Sequence, residues 1–215
     1  MTLGVVIVGI GLLGTLYADR RESVALRWAF KPLASAGFMV IALKPLLDGG
    51  SLNALHVGLA LSAVGDVALV PRSKKLFLLG LGSFALAHVA YLAHFLKAAS
   101  QDPPTTTLVI GAVTVIAFMA IGHRVWTWLA PHTGSMRLPV RVYVLLVSLM
   151  AASAVTAGTL PAAAWWLAPL GGVLFYLSDL SVARDRFIAH SFANKAWGLP
   201  LYYVGQVLIA IAATR

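Results

Sequence analysis

Cysteine is absent from this chain, which excludes disulfide frameworks, thiolate nucleophiles and cysteine-type metal sites. Acidic residues are nearly as scarce: 7 Asp and Glu stand against 16 Lys and Arg, and only 11% of the 215 residues are charged. A soluble domain carries about 25%. No stretch alternates apolar and polar residues as the strands of an outer-membrane barrel do. No linker or low-complexity segment divides the chain, so the expectation is a single integral membrane domain over residues 1–215.

What fills the chain instead is hydrocarbon. Hydrophobic residues make up 60% of it, and the mean hydropathy is +0.89. An apolar helix of roughly 17–25 residues crosses a bilayer. Such runs lie near 2–18, 28–47, 52–71, 76–97, 106–130, 138–158, 163–183 and 193–213. They predict an all-α polytopic membrane protein with about eight transmembrane helices. Basic residues crowd alternate connections: Arg20, Arg21 and Arg27 in the first, Arg72, Lys74 and Lys75 in the third, Arg124, Arg137 and Arg141 around the fifth, and Arg184, Arg186 and Lys195 in the seventh. The positive-inside rule then places the odd loops in the cytoplasm and both termini outside, and the Ala/Leu/Val/Arg-rich usage suggests a bacterial inner membrane. The net charge of +9 reads as topology and contact with anionic lipid, not as nucleic-acid binding. Trp126/Trp128 and Trp165/Trp166 read as interfacial anchors. Gly9, Gly11, Gly14, Gly80 and Gly82 read as close helix packing.

Against so little acid, Asp66 and Asp179 stand out, because both fall inside apolar runs where a carboxylate is expensive. Each follows a small residue, Gly65 or Ser178, and each lies five positions before a loop, at Pro71 or Arg184. At 1.5 Å per residue that sets both about 7 Å from the cytoplasmic end, level enough to share a site. Lys31-Pro32 opens the second run, and Arg141 with Tyr143 opens the sixth. His88, Tyr91, Tyr202, Tyr203 and Gln206 lie deeper, and Tyr203 and Gln206, three apart, share a helix face. His88 and His94 are six apart, about 120° around a helix, so they form no two-ligand metal face; no metal or other cofactor is expected. Runs two to four and six to eight follow one pattern: a basic residue near Pro, a small-Asp pair, a polar face. That suggests two four-span halves with the site between them.

At these motifs the chain resembles the YhhN-type lysoplasmalogenases, a family of multi-pass membrane hydrolases. The resemblance rests on Lys31-Pro32-Leu33, Leu61-Ser62-Ala63-Val64-Gly65-Asp66, Gly80-Leu81-Gly82-Ser83-Phe84 and Ala87-His88-Val89-Ala90-Tyr91. It continues through Val140-Arg141-Val142-Tyr143, Leu174-Phe175-Tyr176-Leu177-Ser178-Asp179, Arg186-Phe187 and Tyr202-Tyr203-Val204-Gly205-Gln206. Gly205 departs from the larger residue expected before the glutamine. The resemblance implies hydrolysis of the vinyl-ether bond of a lysoplasmalogen to a fatty aldehyde and glycerophosphoethanolamine or glycerophosphocholine. The partners it implies are that lysophospholipid and the surrounding membrane lipids.

Vinyl ethers hydrolyse by protonation of the β-carbon, which leaves an oxocarbenium ion that water captures. Two carboxyl groups in different protonation states can serve as acid and base, as in glycoside hydrolysis. Asp66 and Asp179 are therefore the candidate catalytic pair, meeting in one apolar cavity and sharing a proton; the sequence does not say which is acid and which is base, and Asp179 is the guess for the acid. Lys31 with Arg141 or Arg186 is the candidate phosphate site. His88, Tyr91, Tyr143, Ser178, Tyr203 and Gln206 complete the candidate substrate-binding set. Two other classes stay open. An intramembrane aspartyl protease also pairs two aspartates, but the glycine expected two residues before Gly65-Asp66 is Ala63. A proton-coupled transporter would show paired Gly/Pro interruptions of its helices, and none is evident.

Overall fold

A computed structural model of the chain describes residues 1–71, 73–160 and 166–213. Arg72 and Trp165 lie outside the described residues. Among those described are eight α-helices: α1 (Thr2–Arg20), α2 (Val24–Leu47), α3 (Ala54–Ala68), α4 (Lys74–Ala99), α5 (Thr105–Leu129), α6 (Arg137–Ala157), α7 (Leu167–Ala183) and α8 (Phe192–Ala213). A π-helical turn, Arg184–Ile188, continues α7. Six helical segments are long and apolar enough to cross a membrane. Large apolar side chains such as Leu13, Val64, Leu86, Ile116 and Val204 point outward. From α5 only Thr107, Gly122 and Leu129 are buried. A surface this apolar is stable only against lipid, and the chain is a helical membrane protein.

The two shortest helices are the two that carry the aspartates. At 1.5 Å per residue the 15 residues of α3 and 17 of α7 reach about 22 and 26 Å, against a hydrocarbon core of ~30 Å. Asp66 consequently sits in the last turn of α3. Sequential helices pair (α1 on α2, α3 on α4, α5 on α6, α7 on α8), and the halves join where α2 meets α8 and α4 meets α6. Odd-numbered connections gather at one end: Arg27, Ser73, Arg186 and Lys195 line one chamber, and Lys74 Nζ donates to Ser135 Oγ at 3.2 Å.

Local chemistry explains where helices begin. Asn53 caps α3, accepting from Leu55 N at 3.0 Å and His56 N at 3.4 Å, while His56 Nδ1 accepts from Asn53 N at 3.2 Å. The start of α2 differs from the sequence expectation. Ser23 Oγ accepts from Leu26 N at 3.4 Å, so the helix begins at Val24, four residues ahead of the apolar run. Its first turn is charged because Arg27 reaches back to Asp19, with Nε 2.9 Å from Oδ1. Lys31-Pro32 therefore lies inside α2, not at its opening. Pro200 likewise lies inside α8. Each proline removes one helical N–H, yet both helices stay continuous.

Glycine packing is selective. Gly9 and Gly82 have no neighbour within 4 Å of an added Cβ, so they face outward and do not serve the close packing expected of them. Gly11, Gly14 and Gly80 do have such neighbours. Gly205 is explained by its distance from α7: a Cβ there would lie 3.0 Å from the Gly171 carbonyl oxygen. At Gly37 a Cβ would come within 2.7 Å of Val8 N and 2.8 Å of the Gly4 oxygen. Gly37→Ala should therefore push α1 off α2, an overpacking cost of about 1–3 kcal/mol, and lower the melting temperature in detergent. Gly9→Ala should be neutral or slightly stabilising, since only helix propensity changes there.

Candidate active site

Asp66, on α3, is buried at 2% exposure. Lys31 on α2 brings its Nζ to 3.3 Å from Oδ1. One turn further along α2, Ser35 Oγ donates to Oδ2 at 2.7 Å. From α8 the Tyr202 hydroxyl donates to the same oxygen at 2.7 Å. Both carboxyl oxygens are engaged, and one donor is cationic. That donor set matches a carboxylate.

Behind Tyr202 runs a buried polar chain. Gln206 Nε2 donates to the Tyr202 hydroxyl at 3.2 Å, the Tyr91 hydroxyl donates to Gln206 Oε1 at 3.0 Å, and Ser62 Oγ lies 3.2 Å from the Tyr91 hydroxyl. Tyr203 donates to the Lys31 carbonyl at 3.4 Å, tying α8 to α2.

Asp179, on α7, has a different shell. The Tyr143 hydroxyl of α6 donates to Oδ2 at 3.0 Å. His88 Nε2 of α4 lies 3.3 Å from the same oxygen and 3.0 Å from the Tyr143 hydroxyl. His88 is fully buried, and its ring packs on Phe175 with centroids 4.8 Å apart. No donor among the described residues engages Oδ1, and the Asp179 side chain is 14% exposed. One oxygen of Asp179 is thus held while the other is free to meet a ligand.

Both carboxyl groups line one largely apolar cavity of ≈ 130 Å³. A single water needs only about 10–15 Å³ by this measure. Its walls include Phe84, Phe175, Tyr143, Tyr176 and Tyr202. The rings of Phe84, Phe175 and Tyr202 meet edge to face, 5.3–6.0 Å apart. No hydrogen bond joins the two carboxyl groups among the described residues. They are connected instead through contacts from Tyr202 to Phe175 to His88. One cavity with two separate carboxyl shells replaces the directly shared proton expected from sequence.

Of the other sequence candidates, Lys31, Tyr143 and Ser178 line the cavity, although the Ser178 hydroxyl is used on the Phe175 carbonyl at 2.7 Å. His88, Tyr203 and Gln206 stand behind the lining residues as their hydrogen-bond partners, and Tyr91 stands one bond further back, on Gln206. Arg141 is exposed, its guanidinium 5.9 Å from the Trp126 ring, and does not line the cavity. Arg186 lies 4.4 Å over the Phe77 ring, at a neighbouring chamber. Sequence reasoning missed Ser35 and noted Tyr202 without placing it in the substrate-binding set. Ser35 follows Lys31 by four residues and Tyr202 precedes Gln206 by four, so helix periodicity held the signal. Among the described residues no three His, Asp or Glu side chains converge as a metal site.

The family model described as "YhhN family" matches residues 26–213. The chain belongs to the YhhN family. The protein named Lysoplasmalogenase TMEM86A in Bos taurus is 30% identical to this YhhN chain over 193 residues, covering 87% of this chain and 73% of the relative. A protein named Lysoplasmalogenase in Mycobacterium bovis is 36% identical over 157 residues, covering 70% of this chain; the match spans little more than half (56%) of that relative. An Escherichia coli protein named Uncharacterized membrane protein YhhN is 29% identical, with 85% of each chain covered. No solved structure matches the chain.

Proposed function

We propose that this YhhN protein is a lysoplasmalogenase that hydrolyses the vinyl-ether bond of lysoplasmalogen by acid–base catalysis with Asp179 and Asp66. The observation that carries the reading is one apolar cavity lined by two carboxyl groups, one saturated with donors and one with a free oxygen. The relatives' names supply the substrate class.

In this mechanism Asp179 carries its proton on Oδ1, with Oδ2 oriented by Tyr143 and His88. That proton passes to the β-carbon, and electron density from the ether oxygen forms the oxocarbenium ion. The Asp66 carboxylate and the ring cluster of Phe84, Phe175 and Tyr202 stabilise the cation as it forms. Water adds to the cationic carbon and gives up one proton to the Asp179 carboxylate, which restores the acid. The hemiacetal then breaks its C–O bond, the glycerol oxygen takes the second proton, and aldehyde and alcohol leave. One water is consumed, and Asp179 ends as it began. His88, Tyr91, Tyr203 and Gln206 act as positioning residues, and Arg141 as an interfacial cation. No cofactor takes part.

We place the odd loops in the cytoplasm, both termini outside, and all eight helices across a bacterial inner membrane. The halves are related by pseudo-two-fold symmetry. Three residue pairs support that relation: Lys31 and Tyr143, Asp66 and Asp179, and His88 and Tyr202 occupy equivalent roles at separations of 112, 113 and 114 residues. The natural absence of cysteine allows a simple check. In intact cells, Ser100→Cys should react with an impermeant maleimide, and Lys75→Cys should react only after permeabilisation.

Purified protein in detergent, given lysoplasmalogen, should release free aldehyde with or without a chelator. The ester-linked lysophospholipid should release no aldehyde. Absence of aldehyde from every alkenyl lipid tried would favour the transporter or protease classes.

A further inference from the structure

Resting on the reaction assigned above, we propose that the polar chamber at the cytoplasmic mouth of the cavity binds the glycerophosphodiester part of substrate and product, with Lys195 and Arg186 as its phosphate ligands. The chamber measures ≈ 310 Å³ and shares Lys31, Leu69, Phe77, Val182, Lys195 and Leu199 with the apolar cavity. The two spaces are therefore adjoining rooms, one apolar and one polar. Vinyl-ether hydrolysis divides an amphiphile along the same line: the aldehyde is apolar, and the other product is a water-soluble phosphodiester.

Charge favours an anion in the polar room. Four cations, Arg27, Lys31, Arg186 and Lys195, line it against two carboxylates, Asp19 and Asp185. Two of the four are already paired near their own helices, Arg27 with Asp19 and Lys31 with Asp66. Arg186 has no carboxylate partner among the described residues, and its guanidinium lies over Phe77, a residue of both rooms. Lys195 Nζ spends one contact on Asp185 at 3.1 Å, and an ammonium has three donors.

Asp185 holds that lysine in place. It sits in the π-helical turn after α7 and also accepts from Ser191 N at 3.2 Å and Asn194 Nδ2 at 3.1 Å. The three carbons of glycerol separate the ether oxygen from the phosphate. With phosphate at Lys195 and Arg186, the glycerol passes Lys31 and the alkenyl ether enters the apolar cavity.

The test is binding of sn-glycero-3-phosphocholine to the full chain in maltoside by titration calorimetry, with inorganic phosphate in a parallel arm. Wild type should bind the phosphodiester saturably and more tightly than inorganic phosphate. Lys195→Gln and Arg186→Gln should each weaken it about tenfold, the scale of a lost charge-assisted hydrogen bond. Lys195→Arg should restore binding, and unchanged melting temperatures would confirm that the variants fold. In turnover, KM for lysoplasmalogen should rise in the glutamine variants by more than kcat falls. Equal affinity for both anions, unchanged binding in the variants or no binding by wild type would each overturn the proposal. None of the binding outcomes depends on aldehyde release. A protein that binds the phosphodiester but releases no aldehyde would sink the reaction and leave the chamber standing.

Discussion

Asp179→Asn is expected to lower kcat for aldehyde release by about 10²–10⁴-fold, the range that a positioned general acid contributes. The amide keeps an oxygen to accept from Tyr143 and nearly the same volume, so the helix packing around α7 should persist. What it loses is the proton that the proposed mechanism assigns to Oδ1, the oxygen without a donor on the cavity wall. KM and melting temperature should therefore change little while kcat collapses, the pattern of an interaction made only in the transition state. Tyr143→Phe should cost less, because it removes a positioning donor and leaves His88 to hold Oδ2. A variant of Asp179 that keeps wild-type turnover would remove this residue from the chemistry.

The second large effect combines activity with stability. Asp66→Asn should abolish most turnover and also destabilise the fold, because Lys31 would remain as a buried cation without its counter-ion. Breaking a buried pair from one side costs about 3–5 kcal/mol, which a melting curve in detergent would register clearly. The double variant Lys31→Met/Asp66→Asn removes both charges and should recover much of the lost melting temperature. It should recover no activity. That split separates Asp66 as a reacting group from Asp66 as the anchor of Lys31, Ser35 and Tyr202. If the double variant regained turnover along with stability, Asp66 would be structural only.

Much of the fold was legible because lipid imposes one strict rule on sequence. Apolar runs with charged ends map onto helices, and the α4, α5 and α6 boundaries fall within two residues of those read from the sequence. Other ends moved further: α3 stops three residues early, α7 starts four residues late, and α2 starts four residues early because Arg27 looks like loop when its partner Asp19 is unknown. Asp66 and Asp179 were visible for a related reason: an acid in hydrocarbon has to have a partner or a purpose.

Their partners were harder to find, since helix periodicity names faces without saying what each face meets. Tyr202 and Tyr203 both lie within a turn of Gln206. Only the approach of α8 to α3 decides that Tyr202 reaches Asp66 while Tyr203 turns to the Lys31 carbonyl. Lys195 looked like a topology residue, because the positive-inside rule already accounts for any base at that end, while Arg186 was a phosphate candidate without a placed neighbour. The polar chamber brings the two together.

Carbon protonation is the step on which the mechanism depends, and isotope incorporation reads it without reference to any variant. Lysoplasmalogen turned over in D₂O, with the aldehyde reduced as it forms, should yield a fatty alcohol carrying one deuterium on the carbon next to the hydroxymethyl group. An alcohol with no deuterium at that carbon would contradict protonation of the vinyl ether, and with it the role assigned to Asp179.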